Sequence, residues 1–294
     1  MYYAWIAGQL FRETAKMAKS THLHLPTTVG LLVCLFSYGC QKDAPDERAN
    51  ATRSVVTSDS ILSTMSAALL PTGAFEIASI LPPGQCPGHY DVKLSDIARV
   101  KRATFVVSFA GMPFMGNVEM DSARSLLINS EGRNWMTPDS YISGLNLLAG
   151  KLSERFPEYE REIAVRREHA IVEVNATNRK LSERLRHGGV VQRPAITSSM
   201  LKEPLEWMGF RVVGEYGRPE SISAKEISAL IRIGREKKAA VVVDNLQSGP
   251  EAGAGIAEAL GVPHVVLSNF PSEKGYAATL ADNVDIVMAA LGAK

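Results

Sequence analysis

"SERFPEYEREIAVRREHAIVEVNATNRKLSERLR", Ser153 to Arg186, decides the architecture. Its apolar residues Phe156, Ile163, Ala170, Val174, Leu181 and Leu185 recur at spacings of four or seven, and the positions between them are densely charged. That pattern predicts a helix with one packed stripe and a solvated opposite face. At ~1.5 Å per residue it runs roughly 50 Å, longer than one small domain needs, and it reads as a rigid backbone bridging two lobes. "HGG" at His187 to Gly189 ends it, a glycine supplying the left-handed C-cap.

On either side of this helix, apolar runs alternate with helical patterns. "SDSILSTMSAALL" reads as a helix capped by Ser58 or Asp59 and stopped by Pro71. "AFEIASIL", "TFVVSFAG" and "SLLINS" read as strands, with "LSDIARVKRA" a short helix capped by Ser95. Beyond Gly189 the style repeats. "VVQRPAITS", "FRVVGEY", "AAVVVD" and "PHVVLSN" read as strands. "LKEPLEWMG", "SAKEISALIRIGREKK", "GPEAGAGIAEALG" and "SEKGYAATLADNVDIVMAALG" read as helices, the second with Ser223 and Glu226 as a capping box. The fold class is therefore α/β, two lobes each with a parallel sheet flanked by helices. The boundaries fall at 54–150 for the N-terminal lobe, 151–189 for the connecting helix and 190–294 for the C-terminal lobe.

The chain is 46% hydrophobic with a formal net charge of +1, which argues against disorder and against a nucleic-acid partner. Residues 1–40 read as a leader and 41–53 as a polar tether. The apolar run "LPTTVGLLVCLFSYG" follows Lys16 and Lys19 and precedes Cys40, with Met17 the more natural start. Positive, apolar, small residue, Cys, polar tether: this order resembles a bacterial lipoprotein signal, which implies export and a lipid on Cys40. Cys86 is then the one thiol of the mature chain outside the anchor, in an oxidising compartment.

In open parallel sheets ligands bind beyond the carboxyl ends of the strands. The stretches placed there are "PPGQCPGHYD", "GMPFMGN", "GRNWMTPD", "SSMLKEP", "DNLQSGP" and "SNFPSEKGY". Enzyme motifs are lacking: there is no P-loop and no G-x-S-x-G elbow, and only His89 with Asp91 offers an acid–base pair. "GAGIAE" at Gly253 to Glu258 reads as a small-residue helix start packed closely on a sheet, and His264, opening a buried strand, reads as structural. The expectation is a binding protein, not an enzyme.

The leader, the two lobes, the single connecting helix and a His just after the second strand resemble the zinc/manganese class of ABC-transporter solute-binding lipoproteins. The similarity runs from about Ser54 to the C-terminus and is carried by "ILPPGQCPGHYDVKLSDIARVKRATFVV", "NWMTPDSY", "FPEYEREI" and "AAVVVDNLQSGPEAGAGIAEALGVPHVVL". It implies capture of a solute between the lobes and delivery to a membrane permease with its ATPase. It also implies a bare metal ion held by four side chains, two from each lobe. His89 takes the first of those places, whereas Arg133, Ser198 and Ser268 or Asn269 fall at the others. A guanidinium does not ligate Zn²⁺ or Mn²⁺.

Three readings follow. In the first, a remodelled site holds zinc or another transition metal through Cys86 and His89, with Asp91 and Asp244 nearby. Thioethers on Met112, Met115, Met136 and Met200, which also fall on the cleft loops, would suit Cu(I). In the second, Arg133, Ser198, Ser268 and Asn269 hold an anion, a metal chelate or a small polar solute by hydrogen bonds and one charge. In the third, the chain is a surface adhesion or sensor lipoprotein.

Overall fold

The computed structural model describes residues 52–293. The leader, Cys40 and most of the tether lie outside the described residues.

Strands β1 (Arg53–Thr57), β2 (Phe75–Ser79), β3 (Phe105–Phe109) and β4 (Ser125–Ile128) form one sheet in the order β2-β1-β3-β4, every pair parallel. A second sheet has the order β6-β5-β7-β8, built from β5 (Pro194–Ser198), β6 (Arg211–Tyr216), β7 (Val241–Asn245) and β8 (His264–Leu267), again all parallel. The two sheets thus share one strand topology. β1, a central strand, is not among the strands read from the sequence, and its first residue, Arg53, falls in the stretch read as tether.

Helix α1 (Ser60–Leu69) starts where Asp59 accepts hydrogen bonds from the N–H groups of Ile61 and Leu62. Helix α2 (Leu94–Arg102) begins before Ser95, which therefore does not cap it. Asp96 does the work instead, accepting from Lys93 N at 3.0 Å and from the Tyr90 hydroxyl at 2.8 Å. In the second lobe α5 (Lys202–Trp207), α6 (Ala224–Lys237), α7 (Ala254–Leu260) and α8 (Tyr276–Ala290) follow, and Ser223 and Glu226 form the expected capping box on α6.

The connecting helix is not continuous from Ser153. Helix α3 (Pro138–Arg155) ends at Phe156, and α4 runs over Glu160–His187. Pro157 lacks an N–H and disfavours helical geometry at the residue before it; Phe156 sits at φ −129° and ψ 67°. The stripe on α4 is the expected one, with Ile163, Ala170, Val174, Leu181 and Leu185 buried. This helix packs on α1 and α3 of one lobe and on α8 of the other. One hydrophobic core runs through it from Val55 to Val243, while two smaller cores cover the far face of each sheet. The lobes are therefore joined by packed apolar surface, not by a flexible link.

Candidate solute cleft

A cleft of about 510 Å³ opens between the carboxyl ends of the two sheets. One wall is built by Phe109 to Pro113 after β3 and by the segment after β4 that carries Arg133, Asn134 and Trp135; the other holds Ser199, Met200, Lys202, Glu203, Asn269 and Phe270. Trp135 packs edge-on against Phe109, with ring centroids 4.8 Å apart.

At the base of the cleft Asn134 joins the lobes. Its Nδ2 donates to Met200 O and to Asn269 Oδ1, each at 2.7 Å, and its backbone N donates to Glu203 Oε2 at 2.7 Å. Its Oδ1 accepts from Met136 N at 2.9 Å, which fixes the amide's orientation. Nearby, Tyr141 of α3 stacks on Tyr276 of α8 at 3.7 Å, and the Tyr276 hydroxyl donates to Met136 O at 3.1 Å. Burial pushes both phenols well above their ordinary range, so both stay neutral. The cations on the cleft walls are partnered: Arg133 lies 3.3 Å from Glu131 and Lys202 lies 3.4 Å from Glu215.

Of the second group of expected residues, Arg133 and Asn269 line the cleft. Ser198 and Ser268 do not: Ser198 is buried at the end of β5, and it is Ser199 that faces the opening. The Ser268 hydroxyl donates to Phe270 O at 2.7 Å and accepts from Gln247 Nε2 at 2.9 Å, inside the lobe. Met112 and Met200 line the cleft from opposite lobes, whereas Met115 and Met136 are core residues.

The first group is not gathered at one point. Cys86, half-buried, and His89, exposed, share a turn in which His89 N donates to Cys86 O at 3.1 Å, but His89 Nε2 lies 3.7 Å from Glu220 and neither lines the cleft. Asp91 is exposed beside them. Asp244 is wholly buried and fully used: its carboxylate accepts from the Tyr216 hydroxyl at 2.6 Å and from Gly253 N at 2.8 Å, and meets His264 Nε2 at 2.7 Å. Gly253 is required there, since a Cβ would overlap the Tyr216 hydroxyl and lie 2.7 Å from Val242 Cγ1; the small-residue reading of "GAGIAE" has this cause. Among the described residues no three His, Cys, Asp or Glu side chains come together as a group able to hold a metal ion. Asn134, Lys202 and Glu203, which shape the cleft, sit within "GRNWMTPD" and "SSMLKEP", stretches placed at strand ends on pattern alone. Residue by residue, no local signal marks them.

Two similar α/β lobes, a packed connecting helix and a cleft between strand ends define a two-lobed binding protein. The family model described as zinc-uptake complex component A, periplasmic, matches residues 55–290. The chain belongs to that family, whose members are solute-binding proteins of metal ABC importers. Among solved structures, a zinc-bound deletion mutant of ZnuA is 16% identical at a TM-score of 0.68, covering 83% of this chain and 100% of that one. A manganese-bound periplasmic metal-binding protein from Candidatus Liberibacter asiaticus is 14% identical at a TM-score of 0.67, covering 82% and 100%. The laminin-binding protein of Streptococcus agalactiae, described as an adhesin with metal-transporting activity, is 14% identical at 0.67, covering 81% and 99%. These likenesses bear out the fold. A comparison with curated proteins gives no match.

Proposed function

We propose that this chain is the extracytoplasmic capture component of an ABC importer whose cargo is a metal in chelated form, a small polar or anionic complex, and not a bare ion. One observation carries the reading: a cleft of about 510 Å³ stands where a bare ion would need a tight set of ligands, and no such set is present among the described residues. Cavities of ~300–1,000 Å³ suit small organic ligands, with a few polar groups placed to orient them. Trp135, Phe109 and Phe270 supply apolar wall, Arg133 and Lys202 supply cations that can exchange their carboxylate partners for a bound anion, and Asn269 supplies an amide. The Asn134 bridge joins the lobes by protein hydrogen bonds. Delivery to a permease and its ATPase, export, and lipid attachment at Cys40 complete the proposal, on the strength of the family and of the order of the leader residues.

The test is a thermal shift and titration calorimetry on the purified protein with Zn²⁺ and Mn²⁺ alone, with zinc citrate, and with citrate alone, beside elemental analysis as purified. The expected result is stabilisation by the chelate or its anion and none by the bare ions, with the response lost in Arg133→Ala. Tight binding of bare Zn²⁺ that disappears in His89→Ala would overturn the proposal and restore the Cys86 and His89 site.

A further inference from the structure

The two edges of the cleft are built differently. At the edge formed by β4 and β8, the lobes are tied by buried or half-buried contacts: Asn134 to Asn269, Tyr141 on Tyr276, and Tyr276 to Met136 O. Helices α3, α4 and α8 carry the shared core, α4 packing on both of the others. At the opposite edge, formed by β2 and β6, two loops meet without apolar burial. The turn carrying Gly88 and His89 belongs to the first lobe, and the segment Arg218 to Glu220 to the second. The Arg218 guanidinium lies against Gly88, so close that a Cβ there would overlap Nη1 and lie 2.9 Å from Cζ. His89 Nε2 stands 3.7 Å from Glu220 Oε1, with both side chains more than half exposed.

We infer that the lobes part at the β2/β6 edge, about the β4/β8 edge as hinge, and that Arg218 on Gly88 is the clasp that holds the opening edge shut. The clasp segment travels with the second lobe, because Pro219 is packed against Gly249, whose Cβ position would be 2.8 Å from Pro219 Cδ. A second-lobe cavity lies next to the clasp. Gly217 and Ile222, which flank the clasp, line this cavity of about 410 Å³, which also reaches Ser199, and Ser199 faces the main cleft. The inference concerns how the lobes move and does not depend on which solute is carried.

Hydrogen–deuterium exchange on the solute-free protein tests it, with Arg218→Ala releasing the clasp from one lobe and Gly88→Ala displacing the guanidinium from the other. Exchange in the turn 84–92 should become about tenfold faster in either variant while α4 and the 134–141 segment keep their protection. The double variant should be no faster than the singles, because both remove one contact. Unchanged exchange at 84–92 in both variants overturns the clasp. Equal loosening of the 134–141 segment overturns the assignment of the hinge.

Discussion

Asn134 Nδ2 and Asn269 Oδ1 lie 2.7 Å apart, joining the segment after β4 to the segment after β8 across the base of the cleft. The same amide holds Met200 O and Met136 N, so its loss strands several partners at once. Asn134→Ala should lower stability by about 1–3 kcal/mol in urea unfolding. A double-mutant cycle with Asn269→Ala should show coupling of about 0.5–3 kcal/mol. A coupling of zero would mean that the bridge contributes nothing in solution.

Asp59 caps α1 from a fully buried position, and burial pushes its carboxyl from 3.8 up to about 6 against the pull of the Ser58 hydroxyl and the N–H groups of Leu62 and Ile61. The folded state holds this proton more tightly than the unfolded chain. The stability it contributes is therefore complete below about pH 4 and is lost as the pH rises through about 6, by up to about 3 kcal/mol. Asp59→Asn keeps an N-cap acceptor and cannot ionise. Urea midpoints measured between pH 4 and 8 should fall with rising pH for the natural protein relative to the variant, and the gap should vanish at the acid end.

Asp244 tests whether a buried carboxylate is structural or ligating. Asp244→Ala leaves the Tyr216 hydroxyl, Gly253 N and His264 without their acceptor, and should cost about 3–5 kcal/mol. The response of melting temperature to added Zn²⁺ should be the same in variant and natural protein. A variant that stays stable but loses a zinc response would return Asp244 to the site.

Phe156 ends α3 and sits at the centre of an aromatic cluster, with Phe75 at 4.9 Å and Phe105 at 5.8 Å between ring centroids, both edge-on. Arg53 and Arg155 lie over its ring at 5.8 Å and 5.6 Å. Phe156→Ala should cost about 3–5 kcal/mol by calorimetric unfolding. Phe156→Leu, which refills much of the space, should recover over half of that loss.

Much of the architecture was open to reading from the chain alone because its causes are local. The stripe from Ile163 to Leu185 fixes the buried face of α4, the alternation of apolar runs with helical patterns implies parallel sheets, and Asp59, Ser223 and Glu226 announce helix starts. Where local rules competed, the reading slipped. Asp96 outranks Ser95 at the start of α2 because it reaches back to both Lys93 and Tyr90, and Pro157 breaks a stripe whose spacing continues undisturbed through it.

The site followed a different logic. Arg133 and Asn269 could be placed by resemblance, and both line the cleft. The direction in which a neighbouring side chain points could not: Ser268 and Asn269 are adjacent, yet one hydroxyl is bound inside the lobe to Gln247 and the other amide spans to Asn134. Asp244 looked available in "VVVDN" and is consumed by partners from β6, α7 and β8. "LPPGQCPGHYD" places a thiol, an imidazole and a carboxylate within six residues, but in the folded chain the imidazole faces Glu220 and Gly88 lies under Arg218. The sequence by itself determined most of the helices and strands and their division into two α/β lobes, since propensity, periodicity and capping act over a few residues. Only the tertiary structure decided which polar groups are satisfied and which stay free for a solute, because each hydrogen bond is settled by partners brought in from distant parts of the chain.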